Sequence, residues 1–163
     1  MADGKLATCL WFAGDAEAAA MLYCGLFPDS AIARIDRAPT DYPGGKAGDV
    51  LTVNFSVLGQ PFMALNGKAA NDFTDAVSFQ VFTDTQDETD RYWDALTADG
   101  GAEMACSWCR DRFGVRWQIV PRVLMEGLGH PDPSVKGRVF AAMQAMVKID
   151  HAGIAAAIAG DAA

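Results

Sequence analysis

Cys106-Ser107-Trp108-Cys109 is the stretch of this chain with the most obvious chemical potential, because a CxxC pair can exchange disulfides or ligate zinc. Redox exchange wants the pair at a helix N-terminus, where the dipole lowers a thiol pKa. Here Arg110-Asp111-Arg112-Phe113-Gly114 follows, which reads as a turn between strands. Zinc needs two further ligands. With Cys9 and Cys24, these cysteines are expected to be reduced and to serve as ordinary small side chains. His130 and His151 belong to no nucleophile motif and read as surface or packing residues. Asp15/Glu17 and Asp87/Glu88/Asp90 stand where helices begin, as charges the helix dipole favours rather than as a paired acid and base. A nucleotide-like cofactor wants a Gly-rich turn after the first strand of a parallel α/β sheet. Gly14 stands alone there, and Gly44-Gly45 and Gly100-Gly101 lack a phosphate-loop context. The residues therefore imply no cofactor and offer no base or nucleophile.

Charge narrows the partners. The net charge is −8 and the 13 basic residues are scattered, which argues against nucleic acid. No apolar run approaches the roughly 20 residues a membrane span needs, and Met1-Ala2-Asp3-Gly4-Lys5 does not begin a signal peptide. The expected location is cytoplasmic, with no membrane partner. At 163 residues and 51% hydrophobic, one domain with a substantial core is expected.

The elements that must position any site show an internal echo. Cys9-Leu10-Trp11-Phe12-Ala13-Gly14-Asp15 recurs in outline 69 positions later as Ser78-Phe79-Gln80-Val81-Phe82-Thr83-Asp84. Each copy runs from an apolar strand through an acidic turn into a helix, with Tyr23 and Tyr92 eight residues past the Asp. Two copies indicate a duplicated unit rather than a solenoid. The first reads as strand 6–13, helix 16–27 with Asp15 as N-cap, strand 30–37, a Gly/Pro-rich loop 38–49, and strands 50–58 and 61–65 about a Gly59-Gln60 hairpin. The second reads as strand 76–83, helix 85–98, a Gly100-Gly101 stop, strand 102–108, a turn at 111–114 and strand 115–120. Helices 121–128, 133–147 and 150–159 complete the chain.

Period-two alternation sorts the strand residues into faces. Leu51, Val53, Phe55 and Val57 share one face of their strand; Thr52, Asn54 and Ser56 share the other. Leu10 and Phe12, matched to Phe79 and Val81, should meet helices, which turns Cys9, Trp11, Ser78 and Gln80 away from them. That second face mixes hydroxyls and amides with Trp11 and Met63, a combination suited to a concave ligand surface. A solvated sheet face or a dimer seam would carry the same residues.

The pattern Leu10-Trp11-Phe12, Gly14-Asp15-Ala16-Glu17-Ala18-Ala19 and Tyr23 resembles the vicinal oxygen chelate superfamily of glyoxalase I, bleomycin-resistance proteins and extradiol dioxygenases. Phe62-Met63-Ala64-Leu65-Asn66-Gly67, Cys106-Ser107-Trp108 and the run from Asp111 to Pro121 look like its PhnB-like subfamily, whose members often carry the label 3-demethylubiquinone-9 3-methyltransferase. The resemblance is read as covering nearly the whole chain, C-terminal helices included. It implies an α+β fold of two βαβββ modules, 6–67 and 76–121, with a helical extension over 122–160, in a domain that forms homodimers. Metal-dependent relatives place ligands on the first and last strand of each module. Those positions fall at about Cys9 and Ser78, and at Met63 and Gln118, four residues past Gly59 and Gly114. This set supplies neither imidazole nor carboxylate, so no metal is expected. The implied function is small-molecule binding on a cup lined by Cys9, Trp11, Thr52, Asn54, Met63, Ser78, Gln80, Trp108 and Gln118. The alternative is a small-molecule enzyme of the same superfamily.

Overall fold

Strict alternation makes Thr8–Phe12 the first strand (β1), with Leu10 and Phe12 buried and Cys9 and Trp11 exposed. The computed structural model describes residues 5–68 and 72–161, which fall in two compact units, 1–72 and 73–163.

In the first unit β1 is followed by helix α1 (Ala16–Leu26) and strands β2 (Ala31–Arg37), β3 (Val50–Val57) and β4 (Gln60–Asn66). The sheet order is β1-β4-β3-β2, with β1 parallel to β4 and the other pairs antiparallel. One face carries α1, which buries Ala16, Ala19, Ala20 and Tyr23, the i, i+3, i+4, i+7 stripe of an amphipathic helix. Three alanines bring the helix close to the strands, and the Tyr23 ring then lies 6.3 Å from Phe55, itself 5.5 Å from Phe62. Burying each such large side chain contributes about 1.5–3 kcal/mol.

The entry to α1 departs from expectation. Asp15 occupies the N-cap position, but its side chain makes no cap bond. Asn66, buried at the end of β4, performs that role: its Oδ1 accepts from Gly14 N at 3.1 Å and Ala16 N at 3.0 Å, and its Nδ2 donates to the Val50 carbonyl at 2.9 Å. One amide thus joins the helix start to β3 and β4. The hairpin is also shifted by a residue. Val57 pairs with Gln60, so the turn residues are Leu58 and Gly59, with φ of 50° and 75°. Two left-handed residues in succession make the twist-matched turn that a hairpin prefers.

The second unit repeats the plan with β5 (Phe79–Thr83), α2 (Gln86–Thr97), β6 (Ala102–Glu103), β7 (Trp108–Arg110) and β8 (Arg116–Pro121), in sheet order β5-β8-β7-β6. The duplicated βαβββ α+β architecture is therefore as the sequence implies. Helix α2 buries Thr89, Tyr92, Trp93 and Leu96. Thr85 caps it by accepting from Glu88 N at 3.2 Å, while Glu88 Oε2 accepts from Asp84 N at 2.9 Å. The Asp111–Gly114 turn is built on a buried carboxylate. Asp111 Oδ1 accepts from Phe113 N and Val115 N at 2.9 and 3.0 Å, and Oδ2 from Trp117 Nε1 at 2.9 Å.

The single strand expected over 102–108 is interrupted. Cys106 and Ser107 have φ of 58° and 71°, and they separate β6 from β7. Their amides donate to the Met146 and Val147 carbonyls, both at 3.0 Å, so the C-terminal segment holds this turn. Helices α3 (Arg122–Leu128), α4 (Pro133–Gln144) and α5 (His151–Ala159) share a core of Val120, Leu124, Val135, Val139, Ile149 and Ile154. Helix α4 stops earlier than expected because Ala145 N and Met146 N bond to the carbonyls three residues back, tightening the last turn. His151 Nε2 lies 2.8 Å from Thr89 Oγ1, which lies 2.6 Å from Thr83 Oγ1, so this histidine anchors α5 to α2 and β5.

Removing the Asn66 amide should leave two helix-start amides and a strand carbonyl unsatisfied. Asn66→Ala is expected to lower unfolding free energy by about 2–3 kcal/mol, and Asp15→Ala by under about 0.5. Urea denaturation of both variants checks this; equal losses would contradict the assignment of the cap.

Candidate functional site

Each sheet has a face turned away from its helix, and the sequence-predicted residues lie on those faces. In the first unit the register sets them in two rows. Cys9 pairs with Met63, which pairs with Asn54, which pairs with Arg34. Trp11 pairs with Leu65, then Thr52, then Asp36. Trp11 is 43% exposed, high for an indole, while Thr52, Asn54 and Met63 are half-buried. The indole is placed by what lies beneath it. A Cβ added at Gly67 would fall 2.1 Å from Trp11 Nε1, so only glycine leaves the ring its present position.

The second unit sets Gln80, Gln118 and Trp108 in one row. Gln80 Nε2 donates to Gln118 Oε1 at 3.0 Å, and Gln118 Nε2 donates to Ser78 Oγ at 2.6 Å. Three predicted residues thus form one chain of hydrogen bonds on the face. The burial pattern of β1 recurs in β5, and both strands pair in parallel with the last strand of their unit. By that pairing Gln80, rather than Ser78, stands where Cys9 stands, and Gln118 stands where Met63 does. Ser78 precedes β5 and reaches the row only through the Gln118 amide. The next residue of β8 on this face, Val120, is buried in the C-terminal helical core. These helices therefore close one end of the second face. The adjoining Phe82 is 40% exposed, with the Arg122 guanidinium 5.4 Å from its ring centre.

Ionisation is disfavoured at Cys9, Cys24 and Cys109. Burial pushes the Cys9 and Cys24 thiols up. Burial, and next the charges of Asp111 and Glu103, push Cys109 up to about 12. Cys109 sits inside β7 rather than at a helix start, so no helix dipole lowers its pKa.

A metal of the kind the superfamily uses does not fit these donors. Cys9, Met63, Gln80 and Gln118 include neither imidazole nor carboxylate, Met63 offers only a thioether, and the Gln80 and Gln118 amides are engaged with each other and with Ser78. Among the described residues no three His, Cys, Asp or Glu side chains cluster as a metal site. The methyl-donor cofactor implied by the methyltransferase label fits no better. The turn from β1 to α1 has one glycine, and Asn66 already occupies the amides of Gly14 and Ala16. A recess of about 260 Å³ does occur in the first unit, lined by Gly14, Glu17, Tyr42, Gly44, Asp49, Val50 and Asn66. None of the sequence-predicted site residues lines it.

Two βαβββ units with identical strand order define the glyoxalase/bleomycin-resistance, or vicinal oxygen chelate, class of protein. Residues 4–120 match the family described as 3-demethylubiquinone-9 3-methyltransferase. The PhnB protein of Bacillus cereus is 33% identical, with a TM-score of 0.65 over 72% of this chain and 99% of its own. Protein PA1353 from Pseudomonas aeruginosa shares the fold at 19% identity, with a TM-score of 0.56 over 73% of this chain and 98% of its own. No curated protein matches the sequence. The chain belongs to the 3-demethylubiquinone-9 3-methyltransferase family, the PhnB-like branch of the superfamily. The family match ends at Val120, so helices α3, α4 and α5 lie outside it, contrary to the expectation that the resemblance takes them in.

Sequence reasoning missed Asp36, Leu65 and Arg122, which share these faces with the predicted residues. Asp36 and Leu65 were recoverable from alternation within their strands; Arg122 begins a helix, and its position over Phe82 follows only from the packing of α3.

The pH dependence of Cys109 has a definite sign. The unfolded thiol loses its proton near its ordinary value of 9.0, whereas the folded one keeps it to about 12. The folded state is thereby penalised as pH rises through that window. Stability measured by urea unfolding should fall above pH 9, and Cys109→Ala should flatten that fall while lowering stability at pH 7. An alkaline decline that is undiminished in the variant would contradict it.

Proposed function

We propose that this protein binds a small, partly aromatic molecule on the helix-free faces of its sheets, without a metal, as a cytoplasmic homodimer. The observation that carries the reading is the make-up of those faces. They set an exposed indole and a thioether beside uncharged amides and hydroxyls, so apolar contact supplies affinity and a few hydrogen bonds fix orientation. Cys9, Trp11, Thr52, Asn54 and Met63 serve from the first unit; Ser78, Gln80, Trp108 and Gln118 serve from the second. Membership of a small-molecule-binding superfamily agrees with this. Dimerisation is supported by the sheet edges at β1 and β2, which a second copy would cover. The cytoplasmic reading is supported by four free thiols, and no helix among the described residues is long and apolar enough to cross a membrane.

An indole face against a planar ligand contributes about 0.5–1.5 kcal/mol beyond area burial, and a satisfied polar contact about 1. In a thermal-shift screen of small molecules, Trp11→Ala and Gln80→Ala should weaken binding several-fold with little change in the unliganded melting temperature. Phe79→Ala, whose ring lies 5.4 Å from Trp117, should lower that temperature instead. Ligands whose stabilisation survives both Trp11→Ala and Gln80→Ala would place the site elsewhere. Light scattering should give twice the chain mass of 17.3 kDa at micromolar concentration, and a monomer throughout would refute the dimer.

A further inference from the structure

The first unit's open face is chemically divided, and its far end carries a carboxylate prepared for a ligand. Asp36 lies on the edge strand β2, level with Thr52, Leu65 and Trp11. Its Oδ2 accepts three donors: Arg34 Nε at 2.9 Å, Thr52 Oγ1 at 3.2 Å and Asn54 Nδ2 at 3.4 Å. These bonds hold the carboxylate in one orientation. Its Oδ1 has no hydrogen-bond partner among the described residues, and the side chain is 37% exposed. At the other end of the same row stand Trp11 and Leu65, with Met63 and Cys9 beside them. Strands are about 4.8 Å apart, so three steps separate the backbones of Trp11 and Asp36 by roughly 14 Å.

We propose that Asp36 is the polar terminus of this binding face, and that it accepts a hydrogen bond from the protonated amine of an elongated amphiphile. The apolar body of that molecule lies over Leu65, Met63 and Trp11. Arg34 is the competing anchor and would favour an anionic head instead. Its side chain is 64% exposed against 37% for Asp36, so water screens a contact made to it more strongly and a ligand gains less there. The protein's net charge of −8 also attracts cations. The inference rests on the small-molecule reading above and adds the chemical class of the ligand's head group.

Three probes with one body separate the possibilities: 4-phenylbutylamine, 4-phenylbutanol and 4-phenylbutyrate. Isothermal titration of the intact protein should rank them amine, alcohol, carboxylate, with at least a fivefold gap between the first and last. Asp36→Asn, which keeps the size and leaves the fold intact, should reduce that gap to under twofold. Trp11→Ala should weaken all three alike. A carboxylate that binds as well as the amine, a ranking unchanged by Asp36→Asn, or no binding of the amine at millimolar concentration would overturn the inference. If the three probes weaken together in Trp11→Ala but ignore Asp36, the binding face stands and only its polar terminus is wrong. If none responds to Trp11→Ala, the face itself is wrong.

Discussion

One helix laid across one face of a four-stranded sheet is the constraint from which the rest of each unit follows. Once α1 buries Tyr23 against Phe55, or α2 buries Trp93 and Tyr92, alternate residues of β1, β3, β4, β5 and β8 are committed to the core. The intervening residues must face the other way, because side chains alternate with a strict period of two. The parallel pairing of the first and last strand brings residues from the two ends of each unit into one row, Cys9 with Met63 and Gln80 with Gln118. The face open to a ligand is thus assembled from residues that the core leaves over, so its chemistry is less constrained than that of the core.

That freedom accounts for what the superfamily scaffold carries here. The positions at which the resemblance implies metal ligands hold a thiol, a thioether and two mutually bonded amides. The two units have also diverged from each other. In the first, the row beyond Met63 ends in Asn54 and Arg34 and stays open; in the second, the row beyond Phe82 runs into Val120 and the C-terminal helices. The C-terminal segment lies outside the family match, yet its Met146 and Val147 carbonyls, between α4 and α5, accept the amides of Cys106 and Ser107 and so support the turn leading into Trp108. An addition to the scaffold therefore shapes one end of the second unit's face.

Much of this was legible in the sequence, and for identifiable reasons. The echo of the strand–helix segments gave the duplication, and alternation gave the faces of Trp11, Asn54 and Gln118, because both are local regularities. Three features were not legible. The helix start at Ala16 is capped by Asn66 from 50 residues away, and no local rule names so distant a partner. The turn at Cys106 and Ser107 requires left-handed backbone at two non-glycine residues, which only their bonds to Met146 and Val147 explain. The echo also misassigned Ser78, because its spacing fits the helices while the strands are offset from it by two residues, which puts Gln80 opposite Gln118. The first two misses come from hydrogen bonds between residues distant in sequence, and the third from strands spaced differently from the helices.

The central claim is that the helix-free faces are where a ligand binds, and nitrogen-resolved NMR of the side-chain N–H groups tests it most directly. On titration with a compound that raises the melting temperature, the indole N–H of Trp11 and the amides of Asn54, Gln80 and Gln118 should shift saturably. The indoles of Trp93 and Trp117, bonded internally to Glu103 and Asp111, should not move. A Trp11 indole that stays still while the Asn66 amide beside the recess shifts would show that the ligand occupies that recess instead.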